Sequence, residues 1–220
     1  MLQSILQADI FVIEFNIDYE RLKYNMKKVI LASQSPRRRE LMGLLGLDFS
    51  VMVDNTPEHI DASLSPDEVV CTLAGFKGEN VAKTLSVGDD AIIIAADTVV
   101  AADGKILGKP ADENEAEKML LFLSDRRHDV YTGVYIKDTA RGKSISFYEK
   151  TEVFFRKLDT EEIKGYINTR EPMDKAGAYG IQGFGALFVE KINGDYFNVV
   201  GLPVCKLAER LKKDFGFKII

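Results

Sequence analysis

The stretch AIIIAADTVVAADGKIL, residues 91–107, decides the predicted fold of this chain. It opens with the apolar run Ala91–Ala96, which is typical of a strand buried on both faces of a sheet. Further along, Asp103-Gly104 predicts a tight hairpin turn between the strands Thr98–Ala101 and Lys105–Leu107. The stretch therefore predicts a buried strand that leads into a hairpin, with one acidic residue, Asp97, between the two.

Helices and strands follow one another irregularly in the rest of the chain. Val29–Ala32 has the pattern of a strand, and Ser35 and Pro36 are typical of the N-cap and first position of a helix that Gly46 closes. The other predicted elements are helices over Pro66–Thr84, after the cap Asp112, near Glu161–Ile167 and over Val204–Phe215, strands over Val130–Ile136 and Thr151–Phe155, and a hairpin of strands Ala186–Ile192 and Tyr196–Val200. Without strict alternation, the fold class is predicted as α/β, with a mixed twisted sheet and flanking helices.

The composition excludes several classes of protein. A chain of 220 residues, 46% hydrophobic and 29% charged, is expected to fold as one compact unit. Cys71 and Cys205 have no CxxC spacing, which argues against a disulfide framework or a thiolate zinc site and favours a reducing compartment. No apolar run approaches the ~20 residues of a membrane-spanning helix. The net charge of −5 argues against a nucleic-acid partner.

The scarcity of histidine limits the kinds of metal site. The sequence has only His59 and His128, so a histidine-rich site or a histidine-driven nucleophile would use the whole supply. Carboxylates are then the expected ligands, and they suit Mg or Mn.

Three arginines, Arg37–Arg39, occupy the first turn of the helix that Pro36 begins. Cations are unfavourable at this end of a helix dipole, whereas the free backbone N–H groups there favour an anion. Guanidinium groups added to such a terminus match the oxygens of a phosphate. The turn therefore indicates a phosphate site, and the alternative is a solvated basic turn.

Asp97 follows a buried strand directly, at the position where α/β proteins place ligand chemistry. If Val29–Ala32 and Ala91–Ala96 are parallel, Asp97 and the arginine turn open on the same edge of the sheet. An acid beside a phosphate is expected either to bind a divalent cation or to activate water. The alternative is an aspartate that caps the turn towards Thr98.

Two further segments carry weaker signals. Lys109 is held extended by Pro110, so it could reach a phosphate, although a solvent-facing lysine is the commoner explanation. The segment EPMDKAGAYGIQGFG, residues 171–185, has four glycines and does not match a dinucleotide fingerprint. Gln182 within it has the donors and acceptors needed to read a uracil or thymine edge, and the alternative is a turn-rich connection.

Four segments together resemble the Maf family of nucleotide pyrophosphatases. They are LASQSPRRRELM at 31–42, AADTVV at 95–100, GKPADENEAEKML at 108–120 and EPMDKAGAYGIQGFGALFVEKINGDYFNVVGLP at 171–203. With the pattern between them, the resemblance covers residues 26–220, which we interpret as one catalytic domain with two lobes. Residues 1–25 are interpreted as an N-terminal extension.

The resemblance implies a two-lobed fold around a cleft, related to the inosine-triphosphate pyrophosphatases, and a divalent metal cofactor. It implies that Asp97 accepts a proton and that Arg37, Thr98 and Gln182 govern substrate choice. The other residues that it places in the site are Ser35, Arg38, Glu58, Lys77 and Lys109, of which Glu58 joins Asp97 as a metal ligand. None of the residue patterns alone would single out Glu58 or Lys77.

The segment DKAGAYGIQG is similar to the branch of the family that acts on dTTP and UTP. The resemblance therefore implies cleavage of these nucleotides to the monophosphate and pyrophosphate in the cytoplasm, by a protein that is a homodimer in the family. Three alternatives stay open: a 7-methyl-GTP pyrophosphatase of the same family, a nucleotide-binding regulator of cell division without catalysis, and a nucleic-acid-binding protein that uses the basic turn, against which the net negative charge counts.

Overall fold

The computed structural model describes residues 27–57, 61 and 63–219. The strands are β1 (Lys28–Leu31), β2 (Phe49–Val51), β3 (Ala91–Ala102), β4 (Lys105–Leu107), β5 (Arg127–Asp138), β6 (Lys143–Phe155) and β7 (Val189–Asn193). The helices are α1 (Pro36–Gly43), α2 (Pro66–Thr84), α3 (Glu113–Leu123), α4 (Thr160–Asn168), α5 (Tyr196–Val200) and α6 (Val204–Phe215). The interpreted extension at residues 1–25, the domain start at Met26 and the predicted site residue Glu58 lie outside the described residues.

The strands of the described ranges form one mixed sheet in the order β2-β1-β3-β5-β6-β7, and β4 pairs with β3. β1 is parallel to β2 and to β3, whereas β3, β5, β6 and β7 are antiparallel in turn. The mixed sheet with flanking helices is therefore confirmed, and so is the parallel arrangement of β1 and β3. Across the described part of the chain, no helix is both long and apolar enough to cross a membrane.

Local sequence signals fix the starts of the helices. Pro36 begins α1, and the Ser35 hydroxyl accepts a hydrogen bond from the backbone N–H of Arg38 at 3.4 Å. The predicted bounds of α2 and α6 are confirmed to the residue. α1 ends at Gly43 rather than at the predicted Gly46, because the next residues turn more tightly, through backbone bonds between residues three apart.

Helix α2 packs directly on one face of the sheet because two glycines leave room for it. Gly133 lies in β5 opposite Asp97, and a Cβ there would be 2.4 Å from the backbone carbonyl carbon of Val70 in α2. Gly78 lies in α2 itself, where a Cβ would be 2.4 Å from the ring of Tyr135. The helix can therefore reach the strand that carries Asp97.

Two hydrophobic cores lie along the opposite face of β3. Ile92 and Ile94 belong to the first core, with side chains of α1 and α6. Val100 and Ala102 belong to the second, with side chains of α3 and α4. β3 thus runs through both cores.

The hairpin predicted over residues 186–200 is wrong for most of its length. Residues 183–188 form a 3₁₀ helix, β7 pairs with β6 instead of with a hairpin partner, and the second predicted strand is helix α5. The Asp195 carboxylate begins α5 by accepting from the backbone N–H of Phe197 at 2.8 Å. The helical turn buries Asn198, whose side chain bonds to β5 and β6. These tertiary bonds override the strand propensity of the sequence YFNVV.

Candidate active site

A gap in the pairing of β3 defines the candidate site. On one side β5 pairs with β3 along almost its whole length. On the other side β1 pairs with β3 up to Ile94, and β4 begins only at Val100. Within the described part of the chain, residues 95–99 therefore have no strand partner on this side. Asp97 and Thr98 lie in the middle of the gap.

Predicted basic residues lie at both ends of the gap. β1 leads into Ser35 and the arginine-rich start of α1, while β4 leads into Lys109. The Gly108 carbonyl accepts from the backbone N–H of Gly177 at 3.0 Å, which joins this end of the gap to the glycine-rich segment. The fold thus brings three separate sequence segments to the two ends of the gap.

Asp97 forms an ion pair with Lys77 on the α2 face of the sheet. The Lys77 ammonium donates to Oδ1 of Asp97. The Asp97 side chain is 13% exposed and the Lys77 side chain is 24% exposed. The ion pair is therefore accessible to solvent but largely shielded from bulk water. A carboxylate held in this way can accept a proton from a bound water or bind a cation.

Polar groups extend the same face beyond Lys77. Asn80, also in α2, donates to Asp54 at 3.3 Å. Hydrogen bonds from Thr56 lower the pKa of Asp54 below its ordinary value, which favours its charged form. This loop leads towards residue 58; the role predicted for Glu58 stays a prediction.

Arg38 lies on the opposite face of β3. Its guanidinium donates to the Gly201 carbonyl at 2.8 Å and to Oγ of Ser33 at 3.3 Å. Another of its nitrogens donates to Oγ1 of Thr98 at 2.9 Å. Because successive strand residues point to opposite faces, Thr98 and Asp97 are divided by the strand. The predicted strand end at Asp97 is wrong, because β3 continues without a break to Ala102. Arg38 and Asp97 therefore lie on opposite faces of β3 and not together at a strand end.

A buried chain of hydrogen bonds continues from Thr98. Its Oγ1 lies 2.9 Å from Oγ1 of Thr132, which donates to the Asn198 carbonyl at 2.9 Å. The Asn198 amide donates to Oγ1 of Thr151 at 2.9 Å. Sequence analysis missed these partners, because β5 and β6 contain many other polar residues and nothing local distinguishes Thr132 or Thr151 from them. These bonds fix the Thr98 hydroxyl and, through it, the Arg38 guanidinium.

Arg37 lies close to the glycine-rich segment. It is near enough to Asp174 to act on the charge of that carboxylate. Burial opposes ionisation of Asp174, but Lys175, which donates to it at 2.7 Å, and Arg37 together hold its pKa below the ordinary value. Arg37 therefore carries positive charge from α1 towards this segment.

The remaining predicted site residues differ in whether their side chains are hydrogen-bonded or exposed. Ser35 uses its hydroxyl to cap α1. Lys109 and Gln182 are both exposed, and Gln182 directly precedes the 3₁₀ helix 183–188. Both long side chains can therefore turn towards a bound molecule.

A cavity of about 1370 Å³ adjoins the Asp97 face. Val99, two residues after Asp97 on the same face, lines this cavity together with Ser65 at the start of α2 and Tyr131 of β5. Among the described residues that line this cavity, neither Asp97 nor Lys77 is present, so the cavity borders the ion pair only through Val99.

The described residues at the gap offer few ligands for a divalent metal. Among the described residues, no three His, Cys, Asp or Glu side chains cluster in a way that could hold an ion. Asp97 offers one carboxylate, and Mg is commonly held by one or two carboxylates together with the phosphates of a substrate. The described residues therefore fit a cation that binds along with a phosphate ligand.

Two solved structures align with part of this chain. The Staphylococcus aureus Ham1 protein aligns with a TM-score of 0.40 and 18% identity, over 59% of this chain and 72% of that chain. A nucleoside-triphosphatase (dITP/XTP pyrophosphatase) from Mycobacterium abscessus aligns with a TM-score of 0.42 and 13% identity, over 74% of this chain and 82% of that chain.

Curated relatives are much more similar in sequence. A dTTP/UTP pyrophosphatase of Bacillus cereus is 51% identical over 189 residues, which is 86% of this chain and 91% of that protein. A dTTP/UTP pyrophosphatase of Bacillus anthracis is 49% identical over 188 residues, 86% of this chain and 96% of that protein. The family model described as Maf-like protein matches residues 28–214. The chain therefore belongs to the Maf family.

Proposed function

We propose that this protein hydrolyses dTTP and UTP to the nucleoside monophosphate and pyrophosphate. The observation that carries the proposal is the Asp97–Lys77 ion pair in the unpaired stretch of β3, bordered at both ends by basic residues. Relatives about half identical over most of the chain are named dTTP/UTP pyrophosphatases, which supports the same substrates here.

In this mechanism, a water attacks the α-phosphorus while Asp97 accepts its proton. The water oxygen forms the new bond to phosphorus, and the bond to the bridging oxygen of the β-phosphate breaks, so that pyrophosphate leaves. Lys77 holds Oδ1 of Asp97, which leaves Oδ2 as the oxygen that takes the proton. This arrangement fixes the base relative to the water and avoids reorganisation during the reaction.

The basic residues bind the triphosphate. Arg37, at the start of α1, and Lys109, at the end of β4, approach the gap from its two ends. Their charges offset the negative charge that builds up on the departing pyrophosphate. Arg38 contributes indirectly, because it fastens the start of α1 to β3.

A divalent cation, Mg or Mn, is part of the proposal. Asp97 is the described residue that would hold it, through Oδ2 and as the alternative to accepting the proton there, and Glu58 is the second ligand expected from the family resemblance. When bound, such a cation would neutralise phosphate charge and stabilise the leaving group.

A panel of nucleoside triphosphates with Mg or Mn tests the function. We expect dTTP and UTP to yield monophosphate and pyrophosphate, separated by chromatography. Diphosphate with free phosphate would show cleavage of another bond and refute the proposal. Preferential cleavage of 7-methyl-GTP would support the first alternative, and tight nucleotide binding without hydrolysis would support a non-catalytic regulator.

The cellular setting is proposed from the sequence. The free thiols of Cys71 and Cys205 agree with a reducing compartment, and we propose the cytoplasm. We expect a homodimer without a nucleic-acid partner. Light scattering after size exclusion would measure the oligomeric state, and a DNA or RNA titration would measure nucleic-acid binding.

A further inference from the structure

Gln182 lies in a turn of residues 180–185 whose two ends are in contact. A Cβ on Gly185 would lie only 2.4 Å from the Gly180 carbonyl oxygen, so the two ends of the turn are in contact. Gln182 lies between them with its side chain exposed. The position of this amide therefore depends on whatever holds the turn.

Both carboxylate oxygens of Glu171 accept hydrogen bonds from one end of the turn. Oε2 accepts from the backbone N–H of Phe184 at 3.0 Å, and Oε1 accepts from the N–H of Gly185 at 3.2 Å. Gly183 has a φ of +74°, and a Cβ there would lie 2.6 Å from Oε2. Glycine at 183 thus serves both the backbone conformation and the close approach of the carboxylate.

Tyr166 ties this carboxylate to the other end of the turn and to the core. Its hydroxyl donates to Oε1 of Glu171 at 3.0 Å and accepts from the backbone N–H of Gly180 at 3.2 Å. Its ring is 4% exposed and packs edge-to-face on Phe188, with ring centroids 4.9 Å apart. Burial, together with the charge of Glu171, raises the pKa of Tyr166, so its hydroxyl stays a donor.

We propose that Glu171 is a positioning residue for base selection, acting through Gln182. The carboxylate does not need to touch the nucleotide: it fixes both ends of the turn from which the Gln182 amide reads the base edge. This inference rests on the proposed function, since it assigns to Glu171 the selectivity of that same site.

The role of Glu171 can be measured by comparing UTP with CTP as substrates. Their bases differ in hydrogen bonding at the same edge, where uracil presents an acceptor and an N–H donor and cytosine presents the reverse. An amide held in one place can favour one pattern, whereas an amide on a loosened turn adapts to both.

The test compares the ratio of kcat/KM for UTP to that for CTP in the wild type and in Glu171→Gln. The glutamine keeps the length of the side chain but turns one acceptor into an NH₂ donor that faces a backbone N–H. We expect the ratio to fall roughly tenfold, as for the loss of one such hydrogen bond. Hydrogen exchange at the amides of Phe184 and Gly185 should accelerate, a readout independent of activity.

A double-mutant comparison separates positioning from general destabilisation. In a Gln182→Ala background, Glu171→Gln should leave the ratio unchanged, because the amide through which it acts is gone. Glu68→Gln is the matched control: Glu68 also accepts a backbone N–H, from Ser65 at 2.9 Å, at the start of α2. It should leave the ratio at the wild-type value.

The outcomes distinguish this inference from the proposed function. A wild type that releases no pyrophosphate from UTP refutes the function itself. A wild type that is selective, with Glu171→Gln equally selective or equally effective in both backgrounds, overturns the role of Glu171 alone. Should Glu171→Gln not fold, Tyr166→Phe removes the hydroxyl link while keeping the ring; a fall in the ratio supports the role, and an unchanged ratio overturns it.

Discussion

Asp97 and Lys77 form the one pair of opposite charges at the gap that the described residues place on the α2 face of β3. Lys77 reaches Asp97 from a helix, and Asp97 is fixed in a strand, so neither group depends on a loop for its position. Such a pair on rigid elements is suited to hold a base in one orientation.

Asp97→Asn should reduce kcat for UTP by a factor of about 10²–10⁴ while the protein still folds, because the amide cannot accept the proton. Steady-state kinetics and circular dichroism measure the two effects. The control is Asp103→Asn, which changes an exposed carboxylate further along the same chain segment and should leave kcat unaltered. Near-normal turnover in folded Asp97→Asn would contradict the proton-acceptor role.

The hydroxyl of Thr98 is bonded to Arg38 and to Thr132. The family resemblance assigns Thr98 to substrate choice, whereas these contacts give it a part in holding α1 against the sheet. The two roles predict different effects of removing the hydroxyl.

Thr98→Val keeps the shape of the side chain and removes the oxygen that accepts from Arg38. The unfolding free energy should fall by about 1–3 kcal/mol, because buried partners lose a hydrogen bond. Urea denaturation measures this, with exposed Thr84→Val at the end of α2 as control. Unchanged stability combined with altered nucleotide preference would favour the substrate-choice role instead.

At the scale of elements, the position of α2 decides whether Lys77 meets Asp97. The helix lies so close to β5 that Gly133 has no room for a side chain. Glycine in a strand usually weakens it, so its presence here indicates a close backbone approach.

Gly133→Ala should therefore lower both stability and turnover. Its Cβ would lie 2.4 Å from the backbone of Val70, so α2 must shift, at a cost of about 1–3 kcal/mol. The same shift would separate Lys77 from Asp97. Gly75→Ala is the matched control, since its Cβ would be 3.9 Å from Tyr135 and meets no clash. Because alanine is favoured over glycine inside a helix, this change should raise the free energy of unfolding by about 0.5–1 kcal/mol. Equal effects of the two changes on thermal denaturation would refute this account.

Elements with strong local signals were predictable from the sequence, and those decided by distant contacts were not. α2 begins with Ser65-Pro66 and α6 has an apolar stripe, so both were placed to the residue. α5 carries strand-forming residues, and its helical form depends on the burial of Asn198 between β5 and β6. No local pattern contains that information.

The site follows the same division. Parallel β1 and β3 could be anticipated, but the continuation of β3 past Asp97 was not. The face on which each side chain lies could not be predicted from the sequence. Arg38 lies on the opposite face because it donates a hydrogen bond to the carbonyl of Gly201, which is distant in sequence. Lys77 was indicated by family resemblance alone, since its partner is known only once α2 is docked.

At the scale of the whole molecule, His128 joins the sheet to the glycine-rich segment. It is 1% exposed, its Nε2 lies 2.8 Å from the Tyr179 hydroxyl, and its ring packs against Phe155. Burial lowers the pKa of His128 from 6.5 to about 4, so the folded protein keeps this imidazole neutral.

Stability should therefore fall as the pH falls. Between pH 6.5 and 4 the unfolded chain binds a proton at His128 that the folded protein does not, so the contribution is complete above pH 6.5 and is lost towards pH 4. Between pH 7.5 and 4.5 we expect a loss of about 2–3 kcal/mol from this group. Urea titrations at both pH values should show a smaller difference in His128→Phe, and an equal difference would contradict the assignment.

The continuity of β3 through both hydrophobic cores has a practical consequence for protein engineering. Since a single strand belongs to both cores, chimaeras that splice one part of this protein onto another family member would cut through the strand that carries Asp97. Exchange of the exposed turn between residues 180 and 185, with its acidic anchor transferred alongside, leaves that strand whole and offers the safer graft for redirecting nucleotide preference.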